Sequence, residues 1–223
     1  MKKVTMLLIV FLGLSGTSFS DMWFGISAPF SGNKYIYSTD VGRLEQRIGV
    51  RFAAEYTFYL PYLEFTCPSC GNAVRAPLGN APALGIEINV GQDWGITGKE
   101  ETEGDVSAEW KTSGTIVSTV LKYHFPTDTG KKMHFSVGSG PEIALLKKQE
   151  KDSLTKEYGE AKELTNLRFI APIVLDYDIG DASAKNPVRI SFIVTLGGTL
   201  ISGVSTWEID MNYGLGIGLK RRF

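Results

Sequence analysis

The chain has 223 residues, 43% of them hydrophobic and 21% charged, and 23 Lys and Arg against 24 Asp and Glu leave a net charge of −1. That excludes a disordered or collagen-like chain and supplies no basic field of the kind a nucleic-acid partner needs. Twenty-five glycines and an 11% aromatic share rich in Tyr and Phe point to a single β domain.

Residues 1–20 start with Met1-Lys2-Lys3, continue as an apolar run over 4–14 and end in Ser18-Phe19-Ser20. A basic start, a short apolar core and small residues before a cut are the signature of a secretory signal peptide. Cleavage is expected after Ser20, giving a mature domain of 21–223. The run is too short for a membrane anchor and has no charged stop beyond it. The residue directly after the cut is Asp21 and not a cysteine, which excludes a lipid-anchored lipoprotein. Past it, no window approaches the roughly 18 to 20 apolar residues of a spanning helix. A soluble periplasmic protein and an outer-membrane barrel remain.

Along the mature chain the hydrophobic period is two. A weak alternation over 22–30 is followed by a clear one over 48–60, where Ile48, Val50, Phe52, Ala54, Tyr56, Phe58 and Leu60 oppose Gly49, Arg51, Ala53, Glu55, Thr57 and Tyr59. A Pro/Gly-rich connection over 61–82 comes next and carries Cys67-Pro68-Ser69-Cys70. Over 84–94, Leu84, Ile86, Ile88, Val90 and Trp94 share one face, and Glu87, Asn89 and Asp93 the other. Similar runs occupy 115–125, 133–145, 167–179 and 188–200. The last, 209–223, sets Tyr213, Leu215, Ile217, Leu219 and Phe223 against Asp210, Lys220, Arg222 and three glycines.

Eight strands result, most of them covering the roughly 9 to 11 residues that a tilted strand needs to cross a bilayer. The expected fold is all-β, an eight-stranded antiparallel transmembrane β-barrel in the outer membrane, surrounded by lipid. A secreted sandwich or soluble barrel would alternate in the same way, because periodicity does not say which face meets water. The polar face carries both charge signs and glycine, whereas the apolar face ends in aromatics (Tyr56, Phe58, Tyr123, Phe125, Phe135, Tyr177, Phe223) suited to an interfacial girdle. Short turns are expected at 126–132 and 180–187, and long charged outer loops around 98–111 and 147–165. The connection over 61–82 is long on the side where short turns belong.

By parity the lumen is lined by Arg51, Glu55, Glu87, Asp93, Lys122, His124, His134, Glu142, Arg168, Asp176, Arg189 and Asp210. An eight-stranded interior is only just wide enough for side chains, so these charges must pair or meet water. They read either as a salt-bridged plug or as a polar path or gate. His124 and His134 flank one turn and point inward, but two imidazoles without a third ligand do not make a metal motif. Hydrogen bonding at the rim is expected of them. Cys67 and Cys70 lack the second pair that structural zinc requires, and a local disulfide pinning the connection is the default for an exported chain. No catalytic residue, metal site or cofactor is expected. The charged loops are solvated surface, and they are also where an extracellular ligand would meet the protein.

The run Gly114-Thr115-Ile116-Val117-Ser118-Thr119-Val120-Leu121-Lys122-Tyr123-His124-Phe125-Pro126, with His134-Phe135-Ser136-Val137-Gly138-Ser139-Gly140-Pro141, resembles the OmpW family of small outer-membrane barrels within the broader OmpA/OmpX/OmpW-like class. The last ten residues, with Leu215, Ile217, Leu219 and terminal Phe223, are similar to that family's final strand. With Tyr213 they also resemble the signal read by the barrel-assembly machinery, although Arg221 stands where an aromatic is usual. The resemblance implies uptake or passage of small, hydrophobic molecules through a narrow barrel with a lateral exit. A mixed-charge interior departs from that pattern. A closed structural or adhesive barrel acting through its outer loops is the rival.

Overall fold

A computed structural model describes residues 20–36, 41–60, 65–66, 73–74, 82–102, 105–127, 132–152, 154–180, 188–200 and 209–222. Eight long strands follow one another: β1 (Ser20–Ile36), β2 (Val41–Tyr59), β5 (Ala83–Thr102), β6 (Asp105–His124), β7 (Met133–Glu150), β8 (Lys162–Ile179), β9 (Val188–Leu200) and β10 (Ile209–Arg222). A short hairpin of β3 (Phe65–Thr66) and β4 (Ala73–Val74) lies in the connection between β2 and β5. Every neighbouring pair is antiparallel, and β1 pairs with β10 from Trp23 opposite Arg222 to Lys34 opposite Met211. The sheet therefore closes and leaves no free edge.

Which face meets the lumen follows from exposure. Phe52 is 62% exposed, Leu121 58% and Leu215 60%, whereas Lys122 and Glu55 on the same strands are 2% and 3% exposed. A water-soluble barrel would reverse this order, since apolar surface is driven out of water. An apolar belt running round the outside fits lipid, and the chain is a transmembrane barrel. Aromatics gather on the belt at the end that holds both chain termini. Tyr123 meets Phe125 edge to face at 5.0 Å, and Phe125 meets Phe135 at 5.1 Å.

Two expectations about the connections are corrected. Residues 98–111 do not form a long loop: β5 reaches Thr102, β6 begins at Asp105, and Lys99 still pairs with Glu109. Likewise β7 runs to Glu150 and β8 starts at Lys162, so much of 147–165 is strand. Beyond the lipid belt both strand faces meet water, so alternation fades while the backbone ladder continues. An extra residue on β5, where its register with β2 shifts between Gln46 and Arg47, turns Gly98 inward toward Trp110, against the simple parity. The longest connection, from β2 to β5, lies at the terminus end, so the expected asymmetry of short turns and long loops does not hold.

Three prolines stand inside strands: Pro29 in β1, Pro141 in β7 and Pro172 in β8. Each pairs normally on one side, opposite Gly216, Phe169 and Thr195 respectively. On the other side the pairing is interrupted. The β1–β2 register jumps from Ser27 to Phe30, β6–β7 from Ser118 to Leu121, and β7–β8 from Val137 to Gly140. A proline has no N–H to donate, so a ladder is lost on the side that hydrogen would have faced. Residues 138–141 of β7 consequently have an interrupted ladder on both flanks.

Candidate functional site

Inward side chains fill the terminus half of the barrel with charge. Lys122 on β6 donates to Glu55 of β2 at 3.2 Å and to Glu87 of β5. Lys220 on β10 lies 3.6 Å from the same Glu55 and 3.3 Å from Asp176 of β8. Glu55, Lys122, Asp176 and Lys220 thus come from every second strand, β2, β6, β8 and β10, and their contacts reach across the lumen. With Glu87, three carboxylates share two lysines. Thr57 donates to Glu55 at 3.3 Å, His124 Nε2 packs against Glu55, and the Ser191 hydroxyl donates to Asp176.

A second layer lies nearer the chain termini. Asp178 accepts from Arg189 at 2.7 Å and contacts His134 Nε2 at 2.7 Å. Arg189 also stacks over the Trp23 ring, 4.1 Å from its centroid. Asp21 accepts from Tyr59 at 2.6 Å and from Arg222 at 3.1 Å. Both histidines are therefore engaged with carboxylates at this rim. Among the described residues no group of three His, Cys, Asp or Glu side chains is arranged to hold a metal.

Above these layers the filling thins to a cavity of about 110 Å³. Its lining includes Arg47, Arg51, Arg168, Glu87 and Glu142 together with the apolar side chains of Val120, Ile170 and Ile193, Arg168 and Ile170 being inward neighbours on β8. Arg51 forks onto Asp93, with one contact at 3.0 Å, and Arg47 lies 3.7 Å from Glu45. Arg168 donates through Nη1 to Glu142 at 3.2 Å, while its Nε and Nη2 are shielded from solvent and have no hydrogen-bond partner among the described residues. The β10 wall beside the cavity is bare backbone at Gly214 and Gly216.

Of the residues expected to line the lumen, Arg51, Glu55, Glu87, Asp93, Lys122, His124, His134, Glu142, Arg168, Asp176 and Arg189 all project inside and are buried or half-buried. Asp210 is on β10 opposite Thr199, and its side chain is outside the described ones. Tyr213, Leu215, Ile217 and Leu219 face outward from β10, while Phe223, Cys67 and Cys70 fall outside the described residues. The picture of a purely mixed-charge interior is corrected. Ile116, Val120, Ala144, Leu146, Ile170 and Val174 also point inward and give β6 to β8 an apolar inner wall. Sequence parity carried that signal, because Ile116-Val117 and Val120-Leu121 are apolar on both faces.

At the loop end the charged strand tips are cross-braced. Lys151 pairs with Glu109, Lys148 lies over the Trp110 ring at 4.5 Å and Lys111 over Tyr158 at 4.3 Å. In the turn beyond β7, Asp152 accepts the backbone N–H groups of Leu154 at 2.7 Å and Thr155 at 2.8 Å. These bonds, Thr155 foremost, hold the Asp152 carboxyl below its ordinary pKa.

No protein-family model matches the chain, and no curated protein matches it by sequence. Similar solved structures are small outer-membrane barrels. Neisserial surface protein A is 12% identical with a TM-score of 0.46, covering 91% of this chain and 97% of that one. OprG from Pseudomonas aeruginosa is 8% identical with a TM-score of 0.42, covering 92% and 96%. Ail of Yersinia pestis, in complex with the heparin analogue sucrose octasulfate, is 10% identical with a TM-score of 0.40, covering 92% and 97%. The likeness is one of barrel architecture, and no function is transferred by it.

Proposed function

We propose that this chain is an exported outer-membrane barrel, OmpW-like in its mode of work, that admits small solutes at the loop end and releases them sideways into the membrane. In this reading residues 1–20 are a cleaved signal peptide, the terminus end faces the periplasm and the final strand is read by the barrel-assembly machinery. The role is passage, with no enzymatic step. The observation that carries it is the cross-lumen ionic layer of Glu55, Glu87, Lys122, Asp176 and Lys220, which bars straight flow below the cavity. The double interruption of pairing around residues 138–141 supports a sideways route, since that stretch of wall has fewer hydrogen bonds to break.

Two measurements test this. Refolded protein with a heat-sensitive gel shift should give no discrete conductance steps in planar bilayers, and regular steps from the unmodified protein would overturn the closed layer. Cysteines introduced as Ser139→Cys and Ala171→Cys, in a background without Cys67 and Cys70, would bolt β7 to β8 across the interrupted register. Oxidation should then stop uptake of a small apolar solute by cells expressing the barrel, and reduction should restore it. Uptake unaffected by the bolt would refute lateral release.

A further inference from the structure

We infer that the cavity above the ionic layer is a binding site for a small amphipathic carboxylate, with Arg168 as its fork. This deepens the passage reading and rests on it for the cavity's role as a solute way-station.

Three observations converge on one ligand class. First, the lining combines three guanidinium groups, with Glu87 and Glu142 paired to Lys122 and Arg168, and the apolar side chains of Val120, Ile170 and Ile193, so it suits a molecule with a charged head and a short apolar body. Second, of the three guanidiniums, Arg51 is already forked onto Asp93, whereas Arg168 meets Glu142 through Nη1 alone. Third, the two nitrogens that Arg168 leaves unfilled, Nε and Nη2, are neighbours on one edge of the planar group, and that edge is the one that takes a carboxylate through two parallel bonds. Arg168 is 4% exposed, so these donors are unfilled in the protein interior, where an unmet donor is costly. Ligand capture in this site requires a change in the Arg168 side-chain torsions that brings this shielded edge onto the cavity the residue already lines. A volume of about 110 Å³ limits the guest to a few carbons beyond the head group.

Butyrate is the probe and butyramide its neutral isostere. With methyl-labelled protein in detergent micelles, the Ile170 and Val120 methyl signals should shift saturably with butyrate and at least about tenfold more weakly with butyramide. Arg168→Gln should weaken butyrate at least tenfold, and Arg168→Lys should recover part of that loss, because it keeps the charge and loses the fork. Ile170→Phe fills the cavity from the apolar wall without touching a charge, and it should abolish the shifts in a barrel that still shows its heat-sensitive mobility. It keeps the test decisive if Arg168→Gln does not fold. Equal saturation by butyramide, unchanged butyrate affinity in folded Arg168→Gln, or the absence of saturable shifts would each overturn the site. Saturable butyrate binding combined with uptake insensitive to the β7–β8 bolt would remove lateral release and leave the site standing. Bolt-sensitive uptake without butyrate binding would do the reverse.

Discussion

Lys122→Met is the sharpest perturbation of the ionic layer. The Lys122 side chain is 1% exposed, and its ammonium serves Glu55 and Glu87 together. Methionine keeps nearly the same length and apolar stem, so little packing is lost and the change isolates the charge. Glu55 retains Lys220 at 3.6 Å and His124, whereas Glu87 loses the base it was paired with. Removing one partner of a buried pair costs about 3–5 kcal/mol, and the lower end, about 3 kcal/mol, is expected here because Glu55 keeps a cation. The assay is urea unfolding in lipid vesicles, followed by tryptophan fluorescence and gel mobility. Lys162→Ala serves as a control. Lys162 lies 3.7 Å from Glu150, both side chains are more than half exposed, and such pairs contribute about 0–1 kcal/mol. Adding Glu87→Gln to Lys122→Met should recover at least about 1 kcal/mol, because the stranded charge is gone. A Lys122→Met loss no larger than that of Lys162→Ala would refute the reading of these charges as a mutually dependent layer.

Three further outcomes are expected. Phe52→Arg, at the middle of the outer belt on β2, should lower stability in vesicles by about 2–4 kcal/mol, and a loss below about 0.5 kcal/mol would deny that this face meets lipid. Gly140→Ala should cost about 1–3 kcal/mol by the same unfolding assay, since a Cβ there would run into the Thr119 carbonyl oxygen, and a neutral result would mean the β6–β7 approach is looser than described. The Asp152 carboxyl should titrate below its ordinary value of 3.8, so the order it gives the turn is complete above that pH and is lost as pH falls through the lowered value. A carbon-detected NMR titration with a midpoint at or above 3.8 would contradict the Thr155 and Leu154 bonds.

Facing was legible in the sequence wherever one face is uniformly apolar. Phe52 against Glu55, or Leu121 against Lys122, needed only the two-residue period, and every charge placed inward by parity whose side chain is described projects into the barrel. Strand length was less legible, because Lys99 to Thr102 is polar on both faces and resembles loop although it pairs, while Val106, Ala108 and Trp110 of the partner segment do alternate with Asp105, Ser107, Glu109 and Lys111. Partnership was not legible either. That Glu55 serves both Lys122 and Lys220 depends on strand tilt and on which strands face each other across the lumen, and a period along one strand carries no such information. The interruptions in the ladder did leave a trace, in three prolines inside otherwise regular alternating runs.

The layered charges also bear on how the barrel is assembled. Glu55 enters on the second strand, and Lys220 arrives only on the last, next to β1. Until β10 docks, Glu55 and Asp176 hold part of their charge unmet in an interior that strands are already enclosing. Closing the seam between first and last strand therefore does more than join two edges, because it delivers the final cation to the centre. Ring closure and delivery of that cation become one event, and a chain truncated before β10 would be left with both an open edge and an ionic layer short of one lysine.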